Sequence, residues 1–364
     1  MRWIISPMAR FKLTLPKRIT ASKSQQYEPD MKPKHRLHII QLPLMAFALS
    51  TSAVIGGTET TTTTAPAPAE STSCLDWIKV SGYAAIAYTG TDSGAETFAD
   101  GGTPFDAVKV GFQGTQGPLG GYVSLFYTPG VPADDAGILD AYATYKAGDF
   151  TFTAGKYLSY LGYEAFDTVN MTQLTYATGI GAIPAYHTGM KVDYSTDIFG
   201  AGFSISDSIQ GGDGFWSGDD EFSDDQGYEA YVSYKGIDKL TVWAGMGYEN
   251  TDGSQDWITY DLWASYALTE KLTLAAEIAY HEDPGVEGTQ GLLFAQYAFT
   301  DKISAVARFG FAERANDFGS DYTYTIAPTY TFCENFLVRA ELTFADKAED
   351  QDFVFSGIQA LAKF

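Results

Sequence analysis

The chain reads as an all-β protein, a transmembrane antiparallel β-barrel of about sixteen strands with short periplasmic turns and long extracellular loops. Three observations predict this fold. Apolar residues alternate with polar or small ones in segment after segment, the connections alternate short and long, and aromatic residues gather at the segment ends. Successive side chains of a strand point to opposite faces. A spanning barrel turns its apolar face to lipid and encloses the other.

The alternation is plainest late in the chain. Leu240, Val242, Ala244, Met246 and Tyr248 share one parity, as do Leu272, Leu274, Ala276, Ile278 and Tyr280, with Thr241, Gly245, Glu249, Thr273 and Glu277 opposite. The series Ile303 to Phe311 and Phe336 to Phe344 repeat the pattern, leaving Ser304, Arg308, Arg339, Glu341 and Thr343 on the other face. Earlier, Leu139, Ala141, Ala143 and Tyr145 are set against Asp140, Tyr142 and Thr144. The segments expected to be strands are 77–88, 105–113, 121–127, 138–145, 150–157, 186–195, 199–208, 228–234, 240–248, 257–267, 272–280, 289–299, 303–311, 322–332, 336–344 and 353–364. No run of 18 or more apolar residues follows residue 74, so helical spans are excluded.

Short connections such as 146–149, 196–198 and 333–335 interleave with long ones rich in Asp, Gly, Ser and Asn: 89–104, 128–137, 158–185, 209–227, 249–256, 281–288, 312–321 and 345–352. Tyr145, Phe150, Tyr194, Phe199, Tyr234, Tyr266, Phe299, Phe332 and Phe336 sit beside the short turns, and Tyr88, Tyr127, Tyr248, Tyr280, Phe311, Tyr322 and Phe344 near the long loops. Two such belts mark the two headgroup levels of a bilayer. The terminal Phe364 lies on the outward parity with Ile358, Ala360 and Ala362, and resembles the signal that barrel assembly machinery reads on outer-membrane proteins. The alternative of another class is an exported soluble or surface β-sandwich binding glycans through its aromatics, which would then scatter along strands and fill a core.

Residues 1–30 are expected to be an over-long, unstructured gene start. Residues 31–69 are read as a signal peptide with a Thr/Ala/Pro-rich segment. Lys32, Lys34 and Arg36 precede the apolar stretch Leu37 to Leu49 and then small residues, the order of a secretory signal, with cleavage near Ala53 or after Ala69. Nine of the 23 basic residues but four of the 45 acids fall in 1–73, so 74–364 carry 14 bases and 41 acids, a net charge of −27. That sign excludes nucleic acid as a partner. The body, 74–364, is therefore assigned to a bacterial outer membrane, with lipid and lipopolysaccharide as its surroundings and a homotrimer as its assembly.

Sixteen strands enclose more space than side chains fill, which leaves an aqueous lumen. Inward bases are Lys109, Lys191, Arg308 and Arg339; inward acids are Asp140, Asp193, Glu229, Asp261, Glu277 and Glu341. Wall charge sets selectivity, the acid excess points to cations, and the residues expected at a constriction are Lys109, Lys191, Asp193, Arg308, Arg339 and Glu341 of the wall with Glu164 and Asp167 of the connection 158–185. No G-x-S-x-G, HExxH or phosphate-cradling loop occurs, and after the signal only His187 and His281 remain, so neither catalysis nor a cofactor is expected. The acidic run Asp219, Asp220, Asp224 and Asp225 offers oxygen ligands for Ca²⁺, though not at EF-hand spacing, and a solvated loop is the plainer reading. Cys74 and Cys333 both fall on the periplasmic rim of such a barrel, where a disulfide is possible.

Gly155-Lys156-Tyr157, Gly162-Tyr163-Glu164 and Pro184 to Gly189 resemble the OmpL-like family of β-barrel porins. The resemblance implies passive diffusion of small hydrophilic solutes or ions. It also implies that the connection 158–185 folds inward and narrows the pore, with Glu164 and Asp167 as constriction residues facing Lys191, Arg308 or Arg339. A plainer role for Glu164 is to bond backbone amides and fix the loop.

Overall fold

A computed structural model describes residues 77–92, 96–98, 107–128, 136–177, 183–209, 226–250, 256–282, 287–315, 319–348 and 352–364. Among the described residues seventeen strands run in chain order: β1 (Ile78–Thr91), β2 (Glu96–Phe98), β3 (Ala107–Gln116), β4 (Leu119–Tyr127), β5 (Ala136–Ala147), β6 (Phe150–Leu158), β7 (Tyr186–Ser195), β8 (Phe199–Ser206) and β9 (Gly227–Ile237). They continue as β10 (Leu240–Glu249), β11 (Trp257–Ala267), β12 (Leu272–Glu282), β13 (Glu287–Ala298), β14 (Ile303–Arg314), β15 (Ser320–Cys333), β16 (Phe336–Asp346) and β17 (Phe353–Lys363). From β3 onward each strand pairs antiparallel with the next, and β1 lies between β17 and β3. Sixteen strands therefore close into one barrel without a free edge. The three-residue β2 pairs with the top of β1, within a connection that alternation alone leaves unstructured.

Closure into a single sheet corrects the sandwich alternative, which needs two sheets facing each other across a core. The burial pattern is inverted relative to a water-soluble protein. Large apolar residues face out: Leu125, Met190, Val232, Leu262, Leu293 and Ile326 are all exposed, while Lys109, Asp140, Glu229, Asp261, Arg308, Arg339 and Glu341 are buried. Among the described residues no helix is long and apolar enough to cross a membrane. Exposed Tyr145, Phe150, Phe199, Tyr266, Phe299, Phe332 and Phe336 ring the short-turn rim.

One parity assignment is corrected. Leu139 was expected outward, yet the β4–β5 register slips between Ser124 and Leu125 and pairs Ser124 with Asp140 but Leu125 with Ile138. The extra residue turns Ile138 outward, 49% exposed, and Leu139 inward, 1% exposed. A bulge opposes two residues to one and so resets the alternation. Beside it, Gly155 of β6 has φ +127°, and a Cβ there would lie 2.2 Å from the Ala141 carbonyl oxygen, so only glycine lets β6 approach the bulged strand.

Candidate functional site

The charged side chains of the inner wall converge on the segment that leaves β6. An irregular segment held against a wall must have its backbone N–H and C=O groups paired. Here the wall supplies the partners. Ser159 N donates to the Ala185 carbonyl at 2.7 Å and ties the ends of the connection together. Glu229 of β9 accepts from Ser159 Oγ at 2.5 Å and Tyr160 N at 3.1 Å. Asp261 of β11 accepts from Gly162 N at 2.8 Å, and Glu277 of β12 from Tyr163 N at 2.6 Å. The strands β9, β11 and β12 thus present carboxylates to the amides of Tyr160, Gly162 and Tyr163.

Farther along, Arg308 of β14 donates to Glu164 Oε1 at 2.6 Å, to Thr175 Oγ1 at 2.9 Å, and to the carbonyls of Thr175 and Tyr176. The other Glu164 oxygen accepts from Ala177 N at 2.7 Å. Lys109 of β3 reaches Asp167 at 2.8 Å and Asp140 at 3.0 Å. Arg339 of β16 donates to the carbonyls of Thr168 and Met171 and to Gln359, while its strand neighbour Glu341 accepts from the amides of Leu174 and Thr175 and from Thr175 Oγ1. Thr323 Oγ1 donates to the Ala177 carbonyl at 2.6 Å, over Gly310, where a Cβ would strike that same oxygen.

Six of the eight residues expected at a constriction are therefore brought together: Glu164 with Arg308, Asp167 with Lys109, and Arg339 and Glu341 on the 168–175 backbone. The other two stand apart. Lys191 of β7 lies between the rings of Tyr157 and Tyr160, with its Nζ 4.7 and 4.6 Å from their centroids, and Asp193 accepts from the Tyr231 hydroxyl at 3.2 Å. Glu164 does not face Arg308 across a gap but contacts it, and it also bonds the Ala177 amide. Glu229, Asp261 and Glu277 were legible as inward acids, but alternation could not give them partners on the loop.

Apolar contacts complete the seat. Leu161 packs with Trp243 and Trp257, and Tyr163 sets its ring edge-on against Trp263 and Phe294. Tyr231, Trp243 and Trp263 stack in sequence across β9, β10 and β11, with centroids 5.7 and 5.8 Å apart. Burial raises the phenols of Tyr160, Tyr163 and Tyr176 above the ordinary tyrosine range, which keeps these rings neutral. Between this segment and the wall remains a cavity of about 340 Å³.

Asp219, Asp220, Asp224 and Asp225, the Ca²⁺ candidates, lie outside the described residues, as do Cys74 and the signal segment. Cys333 is exposed at the end of β15. Among the described residues no three His, Cys, Asp or Glu side chains are spaced to hold a metal ion.

Residues 82–362 match the family described as "Putative beta-barrel porin-2, OmpL-like". The fold is similar to that of Salmonella typhi OmpF, solved with daunomycin, at TM-score 0.61 and 14% identity over 79% of this chain and 97% of that one. It is also similar to the in-vitro folded trimer form of OmpT, an outer membrane protein of Vibrio cholerae, at TM-score 0.58 and 17% identity over 79% and 99%. An anion-selective porin from Comamonas acidovorans gives TM-score 0.56 and 13% identity over 79% and 99%. No curated protein matches the chain.

Proposed function

The chain belongs to the OmpL-like β-barrel porin family of the outer membrane, and on that premise we propose that it is a passive channel for small hydrophilic solutes or ions whose lumen is narrowed by residues 158–185. The observation that carries this reading is the set of bonds from seven wall strands to that one segment. A barrel of this width is open unless something crosses it, and the bonds from β3, β9, β11, β12, β14, β15 and β16 hold the segment against widely separated parts of the wall. Solute passes along what is left, with no bond made or broken in transit.

The channel is cation-leaning. Lys109, Arg308 and Arg339 have their charges engaged by Asp167, Asp140, Glu164 and backbone carbonyls. Lys191 is offset by Asp193 beside it, Glu229 and Glu341 are engaged by amides and hydroxyls of the segment, and the Asp261–Glu277 pair remains as the excess. A homotrimer in the membrane is supported by the trimer form of the similar OmpT. Export through the 31–69 segment, surroundings of lipid and lipopolysaccharide, and assembly through Phe364 complete the proposal.

Planar-bilayer recording of the folded protein tests it: stable unitary conductance steps are expected, and their absence refutes the channel. Reversal potentials in a KCl gradient test the sign, and an anion-preferring value refutes the charge assignment alone.

A further inference from the structure

We propose that the cavity between the 158–177 segment and the wall at β12–β13 is a binding site for a small organic cation, an ammonium compound, with Glu277 as its counter-charge. At about 340 Å³ the cavity is of the size that holds small ligands. Tyr160, Tyr163, Phe166 and Tyr176 supply its aromatic lining, and the Tyr176 hydroxyl donates to the Phe166 carbonyl at 3.3 Å, joining two sides of it. Ring faces attract cations, most strongly where water is thin.

Two carboxylates reach the cavity, and their situations differ. Glu164 is fully engaged: one oxygen takes Arg308 and the Gln173 amide, and the other takes the Ala177 amide. Glu277 takes one amide, that of Tyr163, and its other neighbour is the Asp261 carboxyl. Among the described residues no Lys, Arg or His nitrogen lies within 4.0 Å of either Glu277 or Asp261. Asp261 is 2% exposed, and its Oδ1 meets no donor in hydrogen-bonding geometry. Asp261 and Glu277 stand on the paired strands β11 and β12, and each is the other's electrostatic neighbour. The remaining ionisable groups facing the pair are Glu164, with Arg308 behind it, and the neutral phenol of Tyr163.

This pair lacks one positive charge, and the cavity in front of it is walled by rings. An ammonium ion supplies the charge. An anion meets Glu277 and Glu164, while a neutral solute leaves the carboxyl pair unchanged. The site refines the channel reading by naming a solute class, but binding is measurable without conduction.

The test is calorimetric titration of the refolded, detergent-solubilised full chain with choline and with its neutral isostere 3,3-dimethylbutanol. Saturable choline binding is expected, with the isostere weaker by about tenfold or more. Glu277→Gln keeps an acceptor for the Tyr163 amide and should weaken choline about tenfold or more. Tyr163→Leu should weaken choline more than the isostere. Equal binding of the isostere, unchanged affinity in Glu277→Gln, or no saturable choline binding by protein that conducts in bilayers overturns the site. Choline binding by protein that never conducts instead refutes the channel reading.

Discussion

Replacing Arg308 by methionine tests the claim that the lumen charges hold the inner segment. The guanidinium is 3% exposed and serves Glu164, Thr175, Tyr176 and Thr325. Methionine keeps the bulk and deletes every donor, leaving the buried Glu164 carboxylate with the Gln173 and Ala177 amides but no cation. Removing one partner of a buried ion pair costs about 3–5 kcal/mol. That cost falls on attachment of the segment, because the β13–β14 and β14–β15 ladders are made by backbone and survive. Since each 1.4 kcal/mol is about tenfold, amides of 164–177 should exchange hydrogen about 100-fold faster or more. The Tyr160 amide, anchored on Glu229, should change far less, and strand amides should not change at all. Adding Glu164→Gln should return much of the protection, since deleting both charges of a buried pair is close to neutral. Exchange measured by mass spectrometry decides the matter. Unchanged rates over 164–177, equal acceleration of the strands, or a double variant as fast as the sum of the singles refutes the reasoning.

Three further outcomes follow from the fold. Leu293→Arg places a charge on the outer wall at an exposed position and should destabilise the barrel in lipid by about 2–4 kcal/mol in urea titration, whereas an exposed site facing water would tolerate it. Lys239 has φ 62° in the β9–β10 turn, so Lys239→Gly should raise stability by roughly 1 kcal/mol in the same titration. Gly155→Ala meets both the positive φ and the Ala141 carbonyl and should cost more than about 1 kcal/mol, with a lower yield of heat-modifiable folded barrel on unboiled gels.

The strands were legible because lipid on one side and polar lumen on the other impose a period of two that no other fold sustains so long. Residues 240–248 read directly as β10, which ends one residue later, and 257–267 as β11. The misses are places where something other than that period governs. At Leu139 a bulge inserts a residue and flips parity, and no side chain near it announces the slip. At Glu96–Phe98 a short pairing is borrowed from the end of β1 and carries too few residues to show alternation.

The site was legible in its ingredients and not in its pairings, and the reason is geometric. Alternation assigns a side chain to the inner face, but which inner residues meet depends on the path of a segment without period. Asp167 reaches Lys109, 58 positions earlier in the chain, and Glu164 reaches Arg308, 144 positions later. A wall charge read from parity alone looks like part of an open electrostatic field. The same charge set against 168–175 becomes a hydrogen-bond partner for backbone, as with Arg339 on the Thr168 carbonyl and Glu341 on the Thr175 amide. Once a charge is consumed in this way it cannot also act at full strength on a passing ion. In the proposed channel, selectivity is therefore expected to follow less the count of inward charges than those the segment leaves unbalanced, and Glu277 with Asp261, lacking a basic partner among the described residues, is where that imbalance is greatest.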